Sequence, residues 1–434
     1  MSFLKKIVVF ILILESKIIV KKYKPFIIAV TGSVGKTSTK DAIYEVAKLH
    51  FHFVRKSEKS LNSEIGLPLT IIGVSNAWYN PIAWLKNIMR GLRIIILGGE
   101  YPDCLVLEVG ADHKGDIESI SKWLKTDISV ITYIGKEPVH VEFFKNAEEL
   151  KKEKLYLVKA LKDTGTLILF GDDEILNDVT VSNAQKIVRY GKNDENQICG
   201  KNVGILYDDV LNDKLPVGIK FDIEYDSKIH NISIKGVLGE HQIYSILAAI
   251  SLGTVLGISI ERSIETLKNI EMPRGRMRII DGINNSLIID DTYNSSPIAL
   301  KEALKTLNNI QTNGKKVAIL GDMMELGKIS AEEHRKAGEM VSNIANLIVT
   351  IGPRARGIAE ETLKRGKLPE SVLSFDNSNE AIDSIVGRIG SGDIVLIKGS
   401  QSIRMERITK ALMANPKDAE SLLVRQEEEW LRKG

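Results

Sequence analysis

The sequence predicts two α/β domains in series: a central one built on a parallel sheet with a small antiparallel annex, and a C-terminal, Rossmann-like one. Three observations predict it. From Phe26 onward, short β-branched runs alternate with helical stretches, the pattern of parallel strands covered on both faces. A glycine-rich loop, residues 31–37, joins the first such strand to the first such helix. A second strand–helix series starts beyond the linker-like Met272-Pro-Arg-Gly-Arg276. At 434 residues, 44% hydrophobic and 26% charged, the chain is long enough for two or three domains and has an ordinary globular composition.

The elements follow in order. Residues 1–24 hold six lysines (Lys5, Lys6, Lys17, Lys21, Lys22, Lys24) and one acid, Glu15, around the apolar run Ile7 to Leu14. That run is short of the roughly 20 residues a membrane span needs, and no small-residue cleavage site follows it. Two readings remain: a basic apolar helix on an anionic membrane surface, or a helix docked on the next domain. Strands are expected at Phe26 to Val30, Cys104 to Val109 and Ile128 to Ile134, with a helix from Ser38 to Leu49. Residues 196–235 read as the antiparallel annex, with a turn at Tyr207-Asp-Asp209. Gly239 to Leu256 and Ser259 to Asn269 are helices of small and apolar residues. In the second series, strands are expected at Ser286 to Ile289, Lys316 to Leu320, Leu347 to Ile351 and Ile394 to Ile397. Helices at Ile298 to Asn308, Ala331 to Ala345 and Arg404 to Met413 separate them, and a charged helix closes the chain from Pro416 to Lys433. The expected divisions are 1–24, 25–272 and 273–434.

Charge and cysteine usage narrow the function classes. Lys plus Arg number 59 against 56 acidic residues, so no basic field calls for nucleic acid. The two cysteines, Cys104 and Cys199, have no metal-ligand spacing, which leaves a reducing cytoplasm as the expected compartment.

The loop Thr31-Gly-Ser-Val-Gly-Lys-Thr37 has the residue types that hold phosphates. Gly32 and Gly35 allow a tight turn that points backbone N–H groups at phosphate oxygens, and the following helix adds its dipole. Lys36 would meet the β- and γ-phosphates and the Thr37 hydroxyl a magnesium ion. Val30 stands where the general pattern has its first glycine, so this is a shorter variant. Glu108, at a strand end, can hold the same Mg²⁺; the alternative, a carboxylate capping a loop, is disfavoured by the phosphate loop beside it.

The variant T-G-S-V-G-K-T-S-T resembles that of the Mur ligases, and the resemblance extends in order along nearly the whole chain from Phe26. Asn62-Ser-Glu-Ile-Gly-Leu-Pro68, Leu107-Glu-Val-Gly-Ala-Asp-His113, and Ile134-Gly with His140 and Glu142 are similar to family elements. So are Gly239-Glu-His241, Gly275-Arg276, Asp290-Asp-Thr-Tyr-Asn294, Leu320-Gly-Asp-Met-Met-Glu-Leu-Gly327, Lys398-Gly-Ser400 and Met405-Glu-Arg407. The resemblance implies an ATP-dependent ligase that activates a carboxylate as an acyl phosphate and couples it to an amine. It implies ATP contacts at Gly32, Ser33, Gly35, Lys36, Thr37, Ser38 and Asn62, and two Mg²⁺ ions held through Thr37, Glu108, His140 and Lys154. Lys154 falls where the family carries a lysine modified by carbon dioxide; an unmodified ammonium would repel magnesium. Lys36, Lys154, His140 and Arg276 are the expected catalytic set, since phosphoryl transfer rests on positioning and charge neutralisation. Asp291, Tyr293 and Asn294 would face the ribose, although Asn294 or Ser295 could equally cap a strand-to-helix turn. Lys398 and Ser400 would belong to the surface that receives the amine component, or to an ordinary turn at Gly399.

The D-D-[ST]-Y-N and L-G-D-M-x-E-L-G elements are similar to the branch that adds D-alanyl-D-alanine. The implied partners are thus a small-molecule cell-wall precursor and D-alanyl-D-alanine, with the protein a cytoplasmic monomer, held at the inner membrane face if residues 1–24 touch lipid. Three departures stand against the family pattern. Only the basic segment precedes the phosphate loop, where the family has a domain for the UDP-sugar. Gln242 and Ser245 replace polar residues of the adenine-facing helix, and Ser60 and Ser63 replace asparagines near Asn62. Alternatives are the same chemistry on a polyglutamate or lipid-linked acceptor, and a nucleotide-binding protein without catalysis. Finally, a helix over Ile82 to Ile95 would place Lys86, Arg90 and Arg93 on one stripe, with Leu85, Met89 and Leu92 beside it. After Trp78 and Tyr79 this reads as an interfacial helix or, more plainly, as a core-packed helix with a solvated basic stripe.

Overall fold

Six residues with no polar face, Phe26–Thr31, cannot form an amphipathic strand; they form β1, a central strand buried on both sides in the computed structural model of the chain. The structure describes residues 3–432 apart from 59–60, 79, 112, 136–143, 145, 183–184 and 211–212. The chain divides into two compact units. One comprises Met1–Lys201, Asp222–His230 and Ile243–Ile270, the other Asn202–Phe221, Asn231–Gln242 and Glu271–Gly434.

In the first unit, helix α1 (Phe3–Tyr23) leads into β1, and α2 (Lys36–Ala47) follows it. Next come β2 (Val54–Lys56), α3 (Gly66–Ile72), α4 (Pro81–Leu97), β3 (Cys104–Glu108), α5 (Asp116–Ser121), β4 (Thr126–Ile131) and α6 (Ala147–Lys159). Strands β5 (Leu161–Phe170) and β6 (Lys186–Gly191) complete a parallel sheet in the order β2-β3-β1-β4-β5-β6. Alternate residues Ile27, Ala29, Leu105, Leu107, Leu167 and Leu169 pack with Leu12 and Ile19 of α1, Leu67 and Ile71 of α3, and Leu150 and Leu157 of α6. α7 (Ile243–Val255) and α8 (Ile260–Leu267) pack with α2. Helix α1, Phe3–Tyr23, is thus an integral part of the first unit, docked on α3 and α4.

The annex strands are β7 (Ile198–Val210), β8 (Asp213–Tyr225) and β9 (Lys228–Lys235), and the chain passes between the two units within them. β7 pairs with β6 at Ile198 and Cys199. β8 and β9 make a hairpin across Asp226-Ser227, both with positive φ, the geometry of a two-residue hairpin turn. The expected turn at Tyr207–Asp209 is instead strand, because Tyr207 is anchored there: its hydroxyl accepts from the Gln311 N–H at 3.0 Å. The helix expected from Gly239 starts only at Ile243, since Gly239 at φ 103 bends the chain first.

The second unit has β10 (Arg278–Asp281), β11 (Leu287–Asp291), β12 (Lys316–Gly321), β13 (Leu347–Ile351), β14 (Val372–Phe375) and β15 (Ile394–Lys398), in the order β10-β11-β15-β12-β13-β14. Only β10 is antiparallel. Helices α9 (Pro297–Asn309), α10 (Ser330–Ser342) and α11 (Arg356–Lys364) pack as one group, and α12 (Ser378–Val386) with α13 (Glu406–Leu412) as another. Past α13 the expected continuous helix is broken. Leu423 is extended and Arg425 has φ 57, because the Arg425 side chain turns inward to the buried Glu406 carboxylate (3.0 Å) and the carbonyls of Thr292 and Tyr293.

Candidate functional site

Register brings the first site together. β1 pairs with β3 so that Val30 faces Glu108, and the chain leaves β1 one residue later into the glycine loop. The loop sits at the carboxyl ends of parallel strands, where open α/β sheets bind ligands. Gly32 is required there: at φ 150, a Cβ would stand 1.9 Å from the Thr132 hydroxyl, which itself donates to the Val34 carbonyl at 2.8 Å. Gly35, at φ 86, turns the chain into α2, whose first-turn N–H groups have no carbonyl partner within the helix. Lys36 folds back on the loop, donating to the carbonyls of Gly32 (2.9 Å) and Ser33 (3.2 Å). The N–H groups of Ser33 and Val34 are held by the Tyr133 carbonyl. Ser38 is buried behind the loop.

Glu108 is the centre of this site. Its Oε1 accepts from the Thr37 hydroxyl at 3.2 Å and from the Asn62 amide at 3.3 Å. Its Oε2 is buried and, among the described residues, accepts no hydrogen bond, while the Lys40 ammonium stands 3.9 Å away. Lys40, also buried, is bound by the Ser57 carbonyl at 2.9 Å, and the Ser57 hydroxyl accepts from the Glu108 N–H at 3.1 Å. Such a carboxylate, half-satisfied by a threonine hydroxyl and retaining one orphaned oxygen, fits a magnesium ion shared with a phosphate. Among the described residues no group of three His, Cys, Asp or Glu could hold a metal by itself. Magnesium is usually bound by one or two carboxylates plus substrate phosphates. Lys40 and Ser57 were absent from the sequence-based set. Lys40 is four residues beyond Lys36, and that spacing on α2 is the signal that could have found it.

Lys154 is buried on α6, a helix that packs against β1 and β4. Its neighbour Glu153 accepts from the N–H groups of Gly115 (2.9 Å), Ile117 (2.7 Å) and Glu118 (3.2 Å), so it caps the start of α5. His140 and Glu142 lie outside the described residues.

The second unit has its own cluster. Asp291 and Lys398 are register partners on adjacent parallel strands, both buried, and form a 2.6 Å ion pair. The Lys398 ammonium also donates to the Asn294 carbonyl at 2.9 Å. Burial pushes the Lys398 pKa down, and Asp291 pushes back. Asp290 points the other way, accepting from Thr292 (2.7 Å) and Thr409 (3.3 Å); burial raises its pKa to about 6. The Arg276 guanidinium stacks over the Tyr293 ring at 4.2 Å. His241 is held neutral by burial, its pKa lowered to about 4, and its Nδ1 has no hydrogen-bond partner among the described residues. Lys398 and Ser400 are buried, at 1% and 2% exposure; Lys398 neutralises Asp291, and the Ser400 hydroxyl accepts from the Met324 N–H at 2.9 Å. The cap of the helix after Asn294 is Ser296, with Pro297 at its first position; Asn294 is exposed and binds the Ser295 N–H.

Comparison with known proteins agrees with this geometry. The family described as Mur ligase middle domain matches residues 30–84 and 86–253, and Mur ligase, glutamate ligase domain matches residues 275–401. The UDP-N-acetylmuramoyl-tripeptide–D-alanyl-D-alanine ligase of Bacillus subtilis is 29% identical over 391 residues, covering 90% of this chain and 76% of that one. The corresponding ligase of Rickettsia prowazekii is 26% identical over 394 residues, covering 88% and 76%. Among solved structures, MurF ligase from Thermotoga maritima in complex with ADP is similar with a TM-score of 0.75 and 25% identity, covering 95% of this chain and 84% of that one. MurF from Acinetobacter baumannii, at 21% identity and a TM-score of 0.74, shares the fold. Since the middle-domain match alone takes in more than half of its residues, and contains the loop and the Thr37–Glu108 pair, the chain belongs to the Mur ligase family, whose members are ATP-dependent ligases that form amide bonds.

Proposed function

We propose that the chain adds D-alanyl-D-alanine to a muramoyl tripeptide in cell-wall precursor synthesis, in the cytoplasm, through an acyl phosphate made with ATP. The observation that carries this reading is the Glu108 carboxylate, tied at one oxygen to Thr37 beside the phosphate loop and accepting no hydrogen bond at the other among the described residues. The relatives at 29% and 26% identity, over nearly the whole chain, supply the substrates.

In this reading Lys36 leaves the Gly32 and Ser33 carbonyls for the β- and γ-phosphates, with Gly32, Ser33, Gly35 and Ser38 shaping the loop around them. Asn62 and Thr37 orient Glu108. Thr37 and Glu108 would hold one magnesium ion, with His140 and a carbamate on Lys154 serving a second. Magnesium bound there supplies charge neutralisation between phosphate and carboxylate oxygens. In the second unit, Asp291 with Tyr293 and Asn294 is assigned to the nucleotide's ribose side, and Arg276 to its phosphates. Lys398 acts through Asp291 by holding it in place.

The bonds balance simply. A carboxylate oxygen of the tripeptide attacks the γ-phosphorus, the bond to the bridging oxygen breaks, and ADP leaves. The free amine of D-alanyl-D-alanine attacks the acyl carbon and loses a proton to solvent. Phosphate departs with the former carboxylate oxygen. Incubating the full chain with ATP, Mg²⁺, UDP-muramoyl-tripeptide and D-alanyl-D-alanine should give an adduct of the summed mass less one water. Nucleotide binding with no adduct would refute this acceptor and favour a lipid-linked or polymeric one.

A further inference from the structure

We infer that the outer faces of α1 and α4 form one docking surface for an anionic lipid bilayer. This goes beyond the proposed activity and does not rest on it. Of the sixteen large hydrophobic side chains exposed among the described residues, ten lie on these two helices. They are not scattered. On α4, Ile82, Leu85, Met89, Leu92 and Ile96 recur every three or four residues, a continuous stripe on one face of the helix. On α1, Ile7, Phe10, Leu14 and Ile18 do the same, with Phe10 68% exposed. Neither stripe is left over from an unpacked helix. Leu12 and Ile19 of α1 and Ile94 of α4 are buried in the core on their opposite sides.

The two helices are locked into one layer. Lys22 donates to the Ile95 carbonyl at 2.7 Å and the Tyr23 hydroxyl to the Ile94 carbonyl at 3.1 Å, which ties their C-terminal ends together. Further back, Gly91 lets α4 approach so closely that a Cβ there would lie 2.2 Å from Glu15. Charge then selects the occupant. Lys6, Lys17, Lys21, Lys86, Arg90 and Arg93 are all exposed around the stripes. The single acid on the two helices, Glu15, is buried between them at 3% exposure. A purely cationic rim around apolar stripes repels a second copy of itself and matches anionic headgroups over acyl chains. No helix among the described residues is long and apolar enough to cross a membrane, so the contact is one of lying on the bilayer.

The test is co-sedimentation of the full chain with vesicles of phosphatidylcholine alone or with phosphatidylglycerol. Binding is expected to the phosphatidylglycerol vesicles and to weaken with salt. Leu85→Glu with Met89→Glu changes only exposed side chains and should cut it at least tenfold. Lys86→Glu with Arg90→Glu should weaken it about fivefold or more per charge. Thermal unfolding of both variants should match the parent, which separates lost docking from lost folding. The inference is overturned if the parent ignores phosphatidylglycerol vesicles at low salt or if both variants bind like the parent. It is equally overturned if the parent is a dimer in solution that Leu85→Glu and Met89→Glu make monomeric, since a second copy then covers the face.

Discussion

Glu15 gives a quantitative handle on how the N-terminal helix is held. It lies in the seam between α1 and α4, and neither of its carboxylate oxygens has a hydrogen-bond partner among the described residues. Burial without compensation disfavours the charged form and raises its pKa from 4.5 to about 7. The folded state therefore binds a proton that the unfolded chain has released between pH 4.5 and 7, so stability falls as pH rises through that window. At about 1.4 kcal/mol per pKa unit the whole shift corresponds to about 3 kcal/mol, which solvent screening at an outer helix layer reduces to about 1–2 kcal/mol. Glu15→Gln keeps the shape of the protonated acid and cannot ionise. Urea unfolding followed by tryptophan fluorescence reports this seam well, because Trp78, Trp84 and Trp123 lie in the first unit. At pH 5 the variant and parent should have nearly equal midpoints; at pH 8 the variant should be more stable by about 1–2 kcal/mol. A difference that does not change with pH, or a variant less stable at pH 8, would show that the seam does not disfavour the charged Glu15.

Three other outcomes are expected. Lys398→Met leaves the Asp291 carboxylate buried without its cation and should cost about 3–5 kcal/mol, much of it recovered when Asp291→Leu is added; thermal unfolding of both variants checks this. His241 is held neutral by burial, so its contribution to stability is present above pH 6.5 and is lost as pH falls toward 4; His241→Gln should flatten that limb of the unfolding profile. Gly32→Ala drives a Cβ into the Thr132 hydroxyl and should lower ATP affinity at least tenfold by equilibrium binding; adding Thr132→Ala removes the obstructing hydroxyl and should restore part of it.

Most of the first site could be read from sequence because its parts are local. The residues of the phosphate loop are contiguous, and Glu108 stands at the end of an apolar run, so register alone brings it to Thr37. What stayed hidden depends on partners distant in sequence. Lys40 looks like any helix lysine until the Ser57 carbonyl and Glu108 are placed around it. Lys398 carries no mark of burial in sequence; only the register of β11 against β15 puts it on Asp291. The break in the last helix has the same origin, since Arg425 is drawn to Glu406 from a stretch with ordinary helical composition. Short edge strands such as Val372–Phe375, half-buried and only four residues long, have too little apolar pattern to stand out. Around α1 the two sequence readings prove compatible, because one face of the helix is docked and the other is exposed.

Activation of the substrate carboxylate by phosphoryl transfer from ATP leaves an isotopic trace when the enzyme is given ATP, Mg²⁺, D-alanyl-D-alanine and a muramoyl tripeptide whose reacting carboxylate carries ¹⁸O. One ¹⁸O atom is expected in each phosphate released, with phosphate and adduct formed one to one. Adduct accompanied by phosphate free of ¹⁸O, with the label retained in the peptide or lost to water, would contradict activation by phosphoryl transfer.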